Sequence, residues 1–579
     1  SCIAYVKSTV FPSQTVVDRW NFRIHPQFRA LPVLHLLLLR PHFQPQPMKT
    51  YSLLLTGLFL FMRSISSAQP GTPDNSFSSN GFLTESVLTN HHNVGIKTLV
   101  QTDGKILVGA AVYGNGLNEN TAILRYLPDG TPDPSYHSGS PVFFQFAEKE
   151  VYMHDMALQP DGKLLVCVNI YNLNNAHYTP ALFRLLTDGT PDPAFGGSSG
   201  VLFPDISGYT DVQYNAVQVL SDGKIALAGV ATPDTGNAFE QFAAFRLNVN
   251  GMPDTGFSGD GFTTTPVGDA YVSVEGIAVQ SDGKIIVGGT ATVNGFDDFA
   301  VVRFNANGTP DASFNGDGIG IYSLSDQNDR STGLQLQTDG KILLGGYAHF
   351  QAGNSGSDFA ALRLTASGDP DLTFNDDGMV IIPVLTANTD GARDILLQPD
   401  GKIVLGGFLY TANLDCAMVR LLANGTPDNS FGGDGIVTFA AFPDNSDEIY
   451  DITFQPDGKI VATGFGRAGE YNTILLARFI SGILVGTNQV ETPETNVTIY
   501  PNPATNHIQL EYDLTAWGPV SISLYDLQGR LAQNLLTAVD QTAGKHSETL
   551  LFRSGLAPGT YLLRLQAGQG SSQVKVVVD

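Results

Sequence analysis

The chain has almost no tryptophan, little cysteine and few basic residues. Its two tryptophans are Trp20 and Trp517, so the long stretch between them lacks the largest stacking ring. Three cysteines, Cys2, Cys167 and Cys416, make no disulfide framework for 579 residues. Cys167 and Cys416 are expected instead as small buried hydrophobes. Lys and Arg number 31 against 55 Asp and Glu, a net charge of −24 with no basic cluster. That excludes nucleic acid as a partner, because counterion release from phosphate needs clustered cations. The acidic balance reads as solubility. No apolar run reaches the roughly 20 residues that span a bilayer as a helix, so no transmembrane anchor is expected. A Gly-x-Ser-x-Gly elbow and a phosphate-cradling loop are also missing.

What is present suits many short strands joined by tight turns. Glycine (62), proline (32), phenylalanine (34) and tyrosine (20) are plentiful, and only 15% of residues are charged. With 42% apolar residues and this length, the chain is expected to be all-β and multi-domain. Met48-Lys49-Thr50, the apolar run Tyr51 to Met62 and the small residues Ser66-Ser67-Ala68 read as a signal peptide over 48–68, cleaved after Ala68. Residues 1–47 read as an upstream or unstructured extension.

From there a repeat dominates. Asp-Gly-Lys followed by an apolar run recurs every 57 to 61 residues, with its acid at Asp103, Asp161, Asp222, Asp282, Asp339, Asp400 and Asp457. An apolar strand ending in arginine keeps the same beat at Arg125, Arg184, Arg246, Arg303, Arg363, Arg420 and Arg478. A third mark, Pro-Asp-x-x-aromatic, has its acid at Asp74, Asp133, Asp192, Asp254, Asp311, Asp371 and Asp428. Asp-Gly between apolar runs supplies the positive φ of a hairpin. Each unit therefore predicts four short antiparallel strands, the make-up of a propeller blade. Seven such units over 69–485 predict a seven-bladed β-propeller. The third mark is missing after Arg478 and stands unpaired at Thr72 to Phe77, so residues 71–77 are expected to dock beside the last blade and close the ring.

Gln-Pro-Asp-Gly-Lys-Ile, the arginine strand and Asn-Gly-Thr-Pro-Asp-x-Ser-Phe together resemble the delta-60 repeat of bacterial secreted proteins. The resemblance implies a propeller-like array without an agreed enzymatic activity; Tyr136 for Phe and Val168 for Gly are departures from its pattern. The scarcity of tryptophan excludes the tryptophan-aspartate repeat class and argues against sialidase-type Asp boxes. It also weakens a sugar-stacking lectin, although tyrosine can substitute.

The beat stops after Arg478. Residues 486–495 read as a linker, and 496–579 as a small Ig-like β-sandwich with alternating strands such as Val520 to Tyr525. Tyr500-Pro501-Asn502-Pro503-Ala504, Leu527-Gln528-Gly529-Arg530, Gly555 to Tyr561 and the terminal Lys575 to Val578 resemble the type A sorting domain of the type IX secretion system. That implies the secretion translocon as a partner. It also implies a final place outside a bacterium or on its outer-membrane surface.

The repeated Asp and Arg residues read as a structural charge network, since a catalytic centre needs unlike residues rather than one copied sevenfold. No catalytic constellation is visible. The runs Asn315 to Gly318, Asn375 to Gly378 and Gly433 to Gly435 offer oxygen ligands for calcium but lack EF-hand spacing; Asp and Asn closing turns is the competing explanation. No other cofactor is expected. His91-His92 and His154-Asp155 have no partner at metal-ligand spacing. The rim carrying Asp-Gly hairpins is monotonous, whereas the opposite rim varies. Its loops hold Tyr113, Tyr171, His177, Tyr178, Phe296, Asp297, Tyr347, His349, Phe350 and Tyr410, the expected recognition surface for an extracellular polymer, glycan or protein. The expected function is a non-enzymatic binding or scaffold protein. The alternative is an extracellular hydrolase or lyase acting on polysaccharide, which unlike acids, His and Tyr gathered at one pore mouth would favour.

Overall fold

The computed structural model describes residues 69–483 and 498–578, apart from 79, 198, 205, 236–238, 350–355, 387, 515–517, 527–530, 543, 554–555 and 568–569. The expected extension, signal peptide, linker and Phe350 lie outside the described residues. Almost everything described is strand. Residues 82–480 form seven four-stranded antiparallel sheets. The first comprises His92–Val100, Ile106–Gly114, Leu117–Tyr126 and Val142–Phe144, from the inside outward. Sequence distance sets this order, because each strand pairs with the one that a short loop can reach.

One packed cluster of apolar side chains fills each boundary between successive blades. A seventh cluster joins Val461, Ile474 and Leu476 of the last blade to Ile106, Val108 and Leu124 of the first. The ring is therefore closed. Phe82–Glu85 supplies the outer strand of the seventh blade by pairing with Ile474 to Ala477. Just before it, Gly71 N donates to Ile480 O (2.7 Å) and Asp74 N to Arg478 O (2.8 Å), which is the docking that the split repeat predicts.

The three sequence marks meet at one rim. In each Asp-Gly-Lys turn the glycine has φ between +82° and +86°. There the aspartate accepts the lysine backbone N–H at 3.1–3.3 Å. The arginine Nε lies 2.6–2.9 Å from the Pro-Asp carboxylate. The lysine Nζ reaches the same oxygen at 2.9–3.4 Å. The guanidinium covers the aromatic ring of its own mark at 4.4–5.0 Å. Its remaining nitrogen donates to a carbonyl of the next blade, from Arg125 to Thr187 through to Arg478 and Pro128. One arginine thus satisfies its own blade and clips it to the following one, a task that needs the planar, many-donor guanidinium. Tyr136 fills the Phe position with its ring under Arg125.

Residues 498–578 form a β-sandwich of a three-stranded and a four-stranded sheet. Val520, Ile522 and Leu524 point into a core shared with Ile508, Leu510 and Leu563, as their alternation predicts.

Candidate functional site

Besides a second shift between Tyr209 and Asp211 in the third blade, every inner strand breaks register at one equivalent position. The shifts fall between Gly95 and Lys97, Met153 and Asp155, Tyr214 and Ala216, Val274 and Gly276, Ser331 and Gly333, Ala392 and Asp394, and Ile449 and Asp451. A β-bulge of this kind leaves one residue unpaired and turns it out of the ladder. Here the unpaired residues are Ile96, His154, Asn215, Glu275, Thr332, Arg393 and Tyr450, and all seven line one cavity of about 580 Å³ on the propeller axis. They lie near the middle of their strands, and Tyr271, Ser273, Arg330 and Tyr347 carry the lining on towards the variable rim. The cavity mouth therefore belongs to the variable rim.

Two arginines in this mouth are already partnered. Arg330 binds Asp297 through Nε (2.9 Å) and an Nη (2.7 Å). Arg393 Nε donates to Glu448 at 2.6 Å. Their guanidinium groups lie 5.8 Å from the Tyr271 ring and 5.6 Å from the Tyr450 ring. Among the described residues Glu275 has no salt bridge, and it remains open to the cavity. Its depth in the fold raises its pKa to about 7, against the pull of Ser273, Arg393 and Arg330. Burial also lowers His154 to about 4, leaving a neutral imidazole at physiological pH, and raises Tyr450 to about 12.

Deeper in, Lys97 Nζ lies 2.5 Å from Asp451 and 3.8 Å from Asp155. Burial works against its charge, but the surrounding carboxylates hold the ammonium firmly protonated. The same acids tie neighbouring inner strands together. Asp155, Asp394 and Asp451 accept backbone N–H groups from Val217, Ile452 and Thr98 at 2.8, 3.0 and 2.8 Å. Blades 4 and 5 have Gly276 and Gly333 at this position, against Leu334 and Ile395 of the next blade.

Of the rim residues read from sequence, Tyr347 lines the cavity and Asp297 anchors Arg330. Tyr171, His177 and Tyr178 gather near Asp211, with Tyr171 and Tyr178 rings 4.9 Å apart. Tyr113 stacks on His92 (5.0 Å), His349 packs edge-on to Tyr347 (5.5 Å), and Phe296 and Tyr410 are exposed. Asp317, Asp377 and Asp434 close their own turns by accepting backbone N–H groups. Among the described residues, no group of three or more His, Cys, Asp or Glu is arranged to hold a metal.

His154 and Asp155, isolated in sequence, face the same cavity as Glu275, Arg393 and Tyr450. Sequence reasoning missed that gathering. The signal was present, because each bulged residue stands eight positions before the glycine of its Asp-Gly-Lys turn, as in His154 and Gly162.

The model of a domain of unknown function (DUF5122) beta-propeller matches residues 101–136, 159–195, 220–257, 280–314, 337–374 and 398–431. A secretion system C-terminal sorting domain matches 498–579. The chain carries DUF5122 beta-propeller repeats and a type IX sorting domain, and is exported. The matched span runs from the Asp-Gly-Lys turn to the Pro-Asp-x-x-aromatic mark, which the propeller's seventh blade splits between its two ends. No helix of the described residues is long and apolar enough to cross a membrane. No curated protein sequence matches the chain. Among solved structures it is similar to the polysaccharide lyase Uly1, at 12% identity and TM-score 0.39, covering 72% of this chain and 94% of that one. A PL25 ulvan lyase bound to saccharide matches at 12% and 0.38, covering 67% and 95%. A levansucrase with sucrose matches at 10% and 0.30, covering 54% and 91%. Likenesses this distant say nothing of the DUF5122 propeller's own ligand.

Proposed function

We propose that the exported propeller is a recognition module whose ligand enters the axial cavity from the variable rim. One observation carries this reading. Seven positions made equivalent by the repeat and by a shared bulge hold seven unlike side chains, while the marks at the opposite rim are copied almost unchanged. Copying maintains the scaffold. Unlike, partly charged groups facing a cavity are costly to keep unless something binds there. Extracellular polysaccharides, glycoproteins and cell surfaces are the partners that export makes accessible.

The test is a binding and degradation screen of the exported chain against such partners, with and without calcium. Saturable binding without product, reduced at least tenfold by Arg393→Met, supports the reading. Binding that survives this change but is lost with Tyr171→Ala or Tyr410→Ala moves recognition to the outer loops. Calcium dependence would give the Gly-Asp-Gly loops a ligand role. A second reading, a polysaccharide-cleaving enzyme, is favoured by the unlike titratable groups in one cavity, above all Glu275 with a pKa near neutrality. Product release that Glu275→Gln abolishes would replace the first reading with this one.

A further inference from the structure

Resting on the cavity reading above, we infer that the mouth takes the end of an uncharged saccharide chain rather than an acidic or cationic polymer. The charge inventory comes first. Arg330 and Arg393 are each neutralised by a carboxylate, Asp297 and Glu448. Among the described residues, the one ammonium in the cavity, on Lys97, is outnumbered by acids beneath the mouth. A polyanion entering here would find no free cation and would meet Glu275. A cationic ligand would find the other acids already engaged, Asp155 and Asp451 by Lys97 and Asp297 and Glu448 by the two arginines, leaving Glu275 alone.

The donor pattern fits a polyol. Arg393 spends its Nε on Glu448 and lines the same cavity as Glu275, and a sugar hydroxyl both donates and accepts, so vicinal hydroxyls satisfy such a donor and acceptor together. Apolar contact is also provided. Tyr271 leaves 48% of its surface exposed, and Tyr347 and Tyr450 bring two more rings to the cavity. Rings of this kind cover the C–H face of a pyranose, as the polar groups alone would not. A cavity of about 580 Å³ suits a small ligand or chain end, not a folded surface.

Cellotetraose, maltotetraose and laminaritetraose titrated into the exported chain, beside tetragalacturonate and a glucosamine tetramer, test this by calorimetry. At least one neutral tetrasaccharide is expected to bind saturably, at least tenfold more tightly than either charged one. Tyr271→Ala, at a half-exposed side chain, is expected to weaken it about tenfold without changing the unfolding midpoint, and Glu275→Gln to weaken it about tenfold with a midpoint no lower than that of the parent chain. Preference for a charged tetramer, lost in the same variants, overturns the uncharged class while leaving the cavity as the site. Neutral binding untouched by both variants overturns the cavity reading itself. No binding of any tetramer overturns the saccharide assignment, and protein or cell-surface binding sensitive to Arg393→Met would then show the cavity reading standing without it.

Discussion

Arg478 and Asp74 stand 404 residues apart in sequence, yet the arginine Nε lies 2.8 Å from the aspartate Oδ2. The same pair occurs within eight residues in the other six blades, as in Arg303 and Asp311. In the seventh it joins the two ends of the array.

Asp74→Ala is expected to lower stability by about 3–5 kcal/mol, because it leaves the buried Arg478 without its carboxylate. Removing 69–85 also removes the outer strand of the seventh blade and should unfold that blade first. Denaturant titration reads the first effect. Hydrogen exchange over 447–480 reads the second, and protection there equal to the intact chain would contradict closure by the N-terminal segment.

Arg303→Lys keeps the charge but loses the clip. Arg303 holds Asp311 and Ser313, covers Phe314 at 4.8 Å and donates to Ala366 of the next blade. An ammonium cannot satisfy these partners together. A loss of about 2–3 kcal/mol is expected in urea unfolding.

Gly276→Ala tests how closely the inner strands approach. A Cβ there would lie 2.7 Å from Leu334 Cβ and 3.1 Å from its backbone N, atoms that cannot swing away. The expected cost is about 1–3 kcal/mol by overpacking, seen as a lower thermal midpoint.

Stability should peak on the acid side of neutrality. Asp74 is buried, but its bonds to Ser76, Lys459 and Arg478 outweigh that cost and hold its pKa at about 2. A depressed carboxylate contributes stability above its unfolded value near 4, and loses that contribution as pH falls towards 2. Asp390 and Asp447 work the other way. Burial raises them to about 7 and 6, so the folded state keeps protons that the unfolded chain releases, and stability falls as pH rises from about 4 to 7. Asp390→Asn should flatten that limb, since Asn93 already occupies the equivalent place in the first blade and caps Leu88 N. A urea midpoint that keeps climbing from pH 5 to 8 would contradict this.

The scaffold and its export were legible in the order of the amino acids alone. The period, the Asp-Gly-Lys turns and the arginine strand predict seven four-stranded blades because hairpin geometry and strand alternation are local. The split third mark foretold closure for the same reason, since a blade with a missing part must find it elsewhere in the chain. The roles of single rim and channel residues were not legible. Asp297 reads as a loop acid until the fold sets Arg330 against it, and His154 reads as a solitary histidine. Only the ring decides that His154, Glu275, Arg393 and Tyr450, each separated from the next by 57 residues or more, face one cavity. That meeting depends on a bulge in every inner strand and on blade-to-blade packing. Both are properties of the closed assembly, not of any local stretch of chain.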